Sequence, residues 1–226
     1  MRRALDTLLP ARCAGCAAPH AWPMCDGCTA AITVIEPPWC DRCGRPLDRA
    51  AARCGDCLPA GVDVARAPFV YDGPLASAIR GMKFSGWHGF AGHLGAAMTE
   101  LVPSWSGTMT WVPLSRRRLA RRGFDQAELL SRTAGATLGL EVRSLLRRRR
   151  ATPAQARRTG HERRLALAGA FETVGPVPRR VVLVDDVLTT GSTAAAAAAA
   201  LREAGADRVA LLTAARAVGE ARPAPR

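Results

Sequence analysis

Eight cysteines crowd into the stretch from Cys13 to Cys57 as four Cys-x-x-Cys pairs, Cys13/Cys16, Cys25/Cys28, Cys40/Cys43 and Cys54/Cys57, and none follows them. A Cys-x-x-Cys turn aims two thiolates at one point, and two such turns complete a tetrahedral four-thiolate zinc site. Gly15, Gly27, Gly44 and Gly55 lie in or beside the turns, where small residues let the backbone curl around a metal. The count fits two structural zinc ions. It leaves open which pairs share an ion, because sequential, nested and crossed pairings all satisfy it. An iron–sulfur cluster also takes four thiolates, but paired Cys-x-x-Cys turns favour zinc. Disulfides are not expected in a cytosolic chain, and redox exchange uses one or two exposed pairs. A closed four-thiolate site keeps no open coordination position, so this module is expected to be structural or an interaction platform and not the catalyst. His20 is expected in an exposed loop, outside the ligand sets. Trp22 and Trp39 are expected to pack the small core.

Length and composition bound the rest. The 226 residues suit one or two domains, and 48% hydrophobic with 23% charged residues describes a globular chain. No apolar run approaches the roughly 18–20 residues of a membrane span. The opening stretch, residues 1–10, has a basic head, but Asp6 and Pro10 interrupt any signal-peptide core, so a cytosolic location is expected. The net charge of +13 favours polyanionic partners. Nearly all of it is arginine, with Lys83 the single lysine, which together with the alanine richness points to a compositional bias. The charge permits nucleic-acid binding without proving it.

After Pro59-Ala60-Gly61 the cysteines end and longer apolar segments begin, which places a boundary between a zinc module at 1–60 and a second domain at 61–226. Patterning predicts a short strand at Phe69–Tyr71 with a turn at Asp72-Gly73, and helices over Leu75–Phe84 and Phe90–Leu101. It also predicts a strand at Thr110–Leu114 and one helix over Arg121–Leu138. Val181–Val184 is a continuous apolar run, as for a strand buried on both faces of a parallel sheet. A helix over Ala194–Ala204 and a strand over Val209–Ala214 complete a right-handed crossover unit of an α/β fold. The alanine run of that helix is read as close packing on the sheet.

Between strand and helix lie Asp185-Asp186 and the turn Thr189-Thr190-Gly191-Ser192-Thr193. A Gly- and hydroxyl-rich turn ahead of a helix presents free N–H groups at the positive end of the helix dipole, a cradle for a monophosphate. Paired carboxylates where the strand is expected to end accept hydrogen bonds from a vicinal diol, so a ribose 5-phosphate would span both elements. Neither Gly-Lys-Ser/Thr nor Gly-x-Gly-x-x-Gly is present. Simple helix capping accounts for one Ser or Thr, but not for a paired acid followed by five small or hydroxyl residues.

The stretch Val181–Thr193 resembles the phosphoribosyl-pyrophosphate (PRPP) motif of type I phosphoribosyltransferases, and its combination with a multi-cysteine module resembles the ComF family of bacterial competence proteins. Met82-Lys83-Phe84-Ser85-Gly86, Val112-Pro113-Leu114 through Arg122-Gly123-Phe124-Asp125-Gln126, and Thr152, Gln155, Arg163 with Gly169-Ala170-Phe171 extend the likeness over nearly the whole chain. Ser115, Asp125 and Ala166 stand where the family pattern has His, Asn and Asn. The resemblance implies a type I phosphoribosyltransferase-like parallel sheet with flanking helices, preceded by a double zinc ribbon-like module. It implies PRPP bound with Mg2+, Asp185 and Asp186 at the ribose and metal waters as the catalytic pair, and Thr189, Thr190, Gly191, Ser192 and Thr193 at the 5-phosphate. Pro113, Leu114, Ser115 and Arg116 are implied at the pyrophosphate. Two functional readings stay open: phosphoribosyl transfer to a nitrogen acceptor, or single-stranded DNA binding in natural transformation by a fold kept without the reaction. For the second, Arg117, Arg121, Arg122, Arg148 and Arg149 are candidate phosphate contacts, with competence-machinery proteins as partners. The sparse aromatic residues, 5% of the chain, do not interleave with the arginine clusters, so base stacking is not indicated by sequence.

Overall fold

The computed structural model describes residues 11–47, 54, 58–149 and 169–218. A short helix α1 (Asp26–Ala30) lies in the cysteine module. It is followed by β1 (Val64–Arg66), β2 (Phe69–Val70), α2 (Gly73–Phe84), α3 (Phe90–Met98), β3 (Thr108–Trp111), α4 (Arg116–Arg122) and α5 (Gln126–Leu138). The remainder is β4 (Leu146–Arg148), β5 (Phe171–Thr173), β6 (Arg180–Leu188), α6 (Ser192–Glu203) and β7 (Arg208–Arg216). Among the described residues no helix is long and apolar enough to cross a membrane.

The principal sheet is parallel, in the order β1-β7-β6-β3, with β2 beside the far end of β7. Helices cover both faces, so the central strands must be apolar on both sides. Val182 and Val184 of β6 meet Leu75, Ile79 and Met82 of α2, Leu94 of α3 and Leu130 of α5. Val181 and Leu183 face the other way, onto Ala194, Ala197, Ala198 and Leu201 of α6. The antiparallel pair β4–β5 joins that second face through Leu146 and Phe171. The cysteine module runs beside the β1–β2 side: Ala65 donates to the Arg42 carbonyl at 2.7 Å and Val70 to that of Thr33 at 2.9 Å.

Several elements differ from the sequence expectation. The helix expected over Arg121–Leu138 is two helices, α4 and α5. Gly123 breaks them by adopting φ +79°, a left-handed conformation that glycine reaches without penalty. Asp125 then starts α5 afresh, its carboxylate accepting the Ala127 N–H at 3.0 Å. Strand β6 does not end at the acids but runs through them to Leu188, because its ladder with β7 continues through Asp185↔Thr213, Val187↔Ala215 and Leu188↔Arg216. Strand β3 is shifted toward its N-terminus and closes at Trp111, short of Pro113, which has no N–H to give a ladder. The turn expected at Asp72-Gly73 is the start of α2.

Candidate functional site

Within the module, Cys13, Cys16, Cys25 and Cys28 place their sulfurs within 4.8 Å of one another, and Cys40, Cys43 and Cys54 form a second such group. The pairing is therefore sequential. Cys57, the remaining expected ligand, lies outside the described residues. Tetrahedral Zn–S bonds of about 2.3 Å require sulfurs about 3.8 Å apart. The observed separations are 3.8 Å for Cys13–Cys25, 3.7 Å for Cys16–Cys25 and 3.5 Å for Cys43–Cys54, far from disulfide length. Burial pushes the Cys13 thiol up, but N–H groups of Cys25, Cys16 and Gly15 outweigh it and bring the group down to about 6. Cys40 is brought to about 6 in the same way by the backbone of Cys43, Cys54 and Arg42. The donor set and spacing suit structural zinc in both clusters. His20 is exposed in a loop, and Trp22, 39% exposed, sets its edge against Phe90 with centroids 6.4 Å apart.

The turn Thr189–Thr193 follows the C-terminal end of β6. Asp185, Thr189, Thr190, Gly191, Ser192, Thr193 and Thr213 line one shallow, solvent-open cleft. Ala195 makes the first helical bond of α6, to the Gly191 carbonyl at 2.8 Å, so the N–H groups of Ser192, Thr193 and Ala194 precede the helix's own ladder. Gly191 holds φ +73°, and a Cβ there would stand 2.5 Å from Cγ of Pro59; glycine is required by backbone and by space. Thr190 Oγ1 and Ser192 Oγ are 3.0 Å apart and share a hydrogen bond. Such an edge of N–H groups and hydroxyls suits an anion.

The two acids do not converge. Successive residues of a strand point to opposite faces, so Asp185 turns toward the cleft and Asp186 toward α2 and α5. Burial and the Asp186 carboxylate push the Asp185 carboxyl up to about 8, against a 2.8 Å bond from the Asp186 N–H and the charge of Lys83. Cation or hydroxyl donors entering the cleft would favour its charged form.

Asp186 is 6% exposed and held through one oxygen: Lys83 Nζ lies 2.9 Å from Oδ2, and Gln126 Nε2 donates to the same oxygen at 2.8 Å. Gln126 Oε1 in turn accepts from Arg122 at 2.9 Å. Next to it, Asp125 Oδ2 accepts the Leu114 N–H at 2.8 Å, and burial pushes this carboxyl up. The start of α5 thus ties the loop after β3, residues 113–116, with one side chain and the acid of β6 with the next. Ser115 caps α4 through the Arg118 N–H at 3.4 Å. Lys83, Asp125 and Gln126 carried no assigned role in the sequence reading; the only signals were their place in the quoted motifs and, for Lys83, its being the sole lysine.

The arginine candidates divide. Arg117 and Arg121 are exposed on α4, a helix with no buried residue. Arg122 lies 5.0 Å over the ring of Phe84, which is 64% exposed, and the His88 ring packs against Phe124 with centroids 3.9 Å apart and planes tilted by 48°. Space therefore interleaves what sequence keeps apart. Arg149 pairs with Glu172 at 3.4 Å, beside Arg147 at 2.6 Å. Arg148 stacks on Phe171 at 5.2 Å. Thr152, Gln155, Arg163 and Ala166 lie outside the described residues.

A family model described as a double zinc ribbon domain matches residues 4–58. Competence protein F of Haemophilus influenzae is 31% identical over 209 residues, covering 86% of this chain and 90% of the relative. DNA utilization protein YhgH of Escherichia coli is 33% identical over 199 residues, 81% of this chain and 87% of the relative. Competence protein ComFC of Streptococcus pneumoniae is 26% identical over 191 residues, 82% and 84% of the two chains. Among solved structures, an allosteric regulatory enzyme of purine biosynthesis superposes over 56% of this chain with a TM-score of 0.40 and 22% identity. Glutamine PRPP amidotransferase from B. subtilis does so over 55%, with a TM-score of 0.41 and 21% identity. The match spans 26% of either enzyme.

Proposed function

The chain belongs to the ComF family of competence and DNA-utilization proteins, and from that premise we propose that it is a cytosolic protein of DNA uptake or processing whose domain at 61–226 binds PRPP with Mg2+. One observation carries the reading: Asp185 and the whole turn Thr189–Thr193 line the same cleft at the end of β6. The turn and the first N–H groups of α6 take the 5-phosphate, and Asp185 takes the ribose hydroxyls and metal waters. Residues 113–116, at the same edge of the sheet because Val112 N–H bonds the Val184 carbonyl at 2.9 Å, take the pyrophosphate. Bound Mg2+ would supply neutralisation of the pyrophosphate charge. Asp186 serves from the opposite face, holding the end of β6 in place through Lys83 and Gln126. Transfer to a nitrogen acceptor would proceed by loss of pyrophosphate from ribose C1, with Asp185 favouring the positive charge that develops there.

Calorimetric titration of PRPP and Mg2+ into the zinc-loaded chain tests this. Binding is expected in wild type and weakened at least about tenfold in Asp185→Asn; absence of heat from folded wild type overturns the reading. Pyrophosphate release with candidate amines and nucleobases then tests transfer. A second reading, single-stranded DNA binding, is favoured by the exposed Phe84 under Arg122 beside the arginine-rich α4. Aromatic faces next to guanidinium groups suit stacked bases and their phosphates. It calls for oligonucleotide affinity that falls steeply with salt and weakens in Arg121→Ala/Arg122→Ala.

A further inference from the structure

The two cysteine clusters meet the second domain differently. The first docks on the beginning of α2: Ala14 is 1% exposed in the core on that face, and a Cβ on Gly15 would stand 2.8 Å from Cβ of Pro74. The second is gripped by two arginines of the sheet. Arg66 of β1 donates to the Asp41 carbonyl at 2.8 Å and to that of Arg42 at 3.4 Å. Arg216, at the end of β7 and 5% exposed, donates to the carbonyl of Cys43. Among the described residues its buried Nε has no hydrogen-bond partner, and none of the ion pairs includes it. A buried guanidinium needs a counter-charge, and a divalent zinc held by three or four thiolates is net negative.

Both ends of this contact lead to the phosphate turn. Arg216 is in register with Leu188, and Ala217, the first residue after β7, donates to the Leu188 carbonyl at 2.8 Å; Thr189 follows directly. On the other side Pro59, five residues after Cys54, fills the space against Gly191. We propose that the second cysteine cluster, through Arg216 and Pro59, holds the phosphate turn in its binding conformation, so that metal at that cluster and anion at the turn are coupled. Loss or oxidation of the cluster removes the counter-charge of Arg216, which must then seek water and loosen the strand end it shares with Leu188. The ligand half of this proposal rests on the phosphate-turn reading; the structural half does not.

Amide hydrogen exchange of the full chain, followed by mass spectrometry on the peptide covering 187–195, tests it without ligand. Cys54→Ser should exchange there about tenfold faster than wild type, while Cys28→Ser, which opens the first cluster, leaves the peptide unchanged. Arg216→Gln with both zincs retained should reproduce the loss, and Arg216→Lys, which keeps the charge, should restore protection. Equal exchange in the two cysteine variants, or full protection in Arg216→Gln, overturns the coupling. If Cys54→Ser does not fold, the two Arg216 variants decide alone. Missing PRPP heat with normal coupling would count against the function reading only, and unchanged exchange with normal heat against the coupling only.

Discussion

Asp185 and Asp186 are neighbours in sequence and occupy opposite worlds. On one face of β6, Asp185 stands at a cleft with its carboxyl pushed up to about 8 and a turn of hydroxyls beside it. On the other, Asp186 is locked between an ammonium and an amide, 6% exposed. The pleat of the strand makes the difference, and it separates two jobs that a ligand-contacting acid pair would have shared. The cleft face presents its carboxyl to open space. The buried face uses its acid to join α2, α5 and β6.

The largest effect expected from breaking this contrast is on the buried face. Asp186→Ala strands Lys83 beside the core and should lower unfolding free energy in urea by about 3 kcal/mol. A loss under about 1 kcal/mol would mean the pair is not structural. Asp185→Asn should do the opposite. Its binding of PRPP with Mg2+ should weaken at least tenfold, about 1.4 kcal/mol by titration calorimetry, while the ligand-free fold gains stability. The sign follows from linkage: a carboxyl raised to about 8 in the folded chain binds a proton that the unfolded chain releases near its ordinary value. Wild type should therefore lose stability as pH rises through about 4 to 8, and Asp185→Asn should flatten that slope in pH-dependent thermal melts. Gln126→Leu removes two hydrogen bonds of the buried network and should cost about 1–2 kcal/mol without changing the pH slope. Smallest for stability is Phe84→Ser, within about 0.5 kcal/mol because the ring is exposed. If the DNA reading holds, the same change weakens oligonucleotide binding by about 1–3 kcal/mol in fluorescence anisotropy.

The legible parts of this chain are those governed by short-range spacing. Cys-x-x-Cys turns announce their clusters because both ligands come from one turn, and Val181–Val184 announces a covered strand because nothing polar interrupts it. The turn Thr189–Thr193 was readable as a strand-to-helix connection because glycine and hydroxyl residues stand directly ahead of an alanine run. What stayed hidden depends on distant partners. Gln126 reaches Asp186 across 60 positions of sequence and Lys83 from farther still, and no local pattern encodes that meeting. The break at Gly123 is hidden because the helical spacing of Phe124, Ala127 and Leu130 begins directly after it, and the arginines before it carry no apolar pattern that would mark a separate helix. Phe84 and Arg122 are likewise inconspicuous until α2 and α4 are brought together.

The engaged state of Lys83 gives the molecule a built-in reporter. It is the only lysine of the chain, and its ammonium is held at 2.9 Å from Asp186. Apart from the α-amine, acylating reagents have no other amine to modify. The rate at which an activated ester labels this position is therefore a clock for the parting of α2 from β6, readable in mixtures where no spectroscopic probe of that contact is at hand.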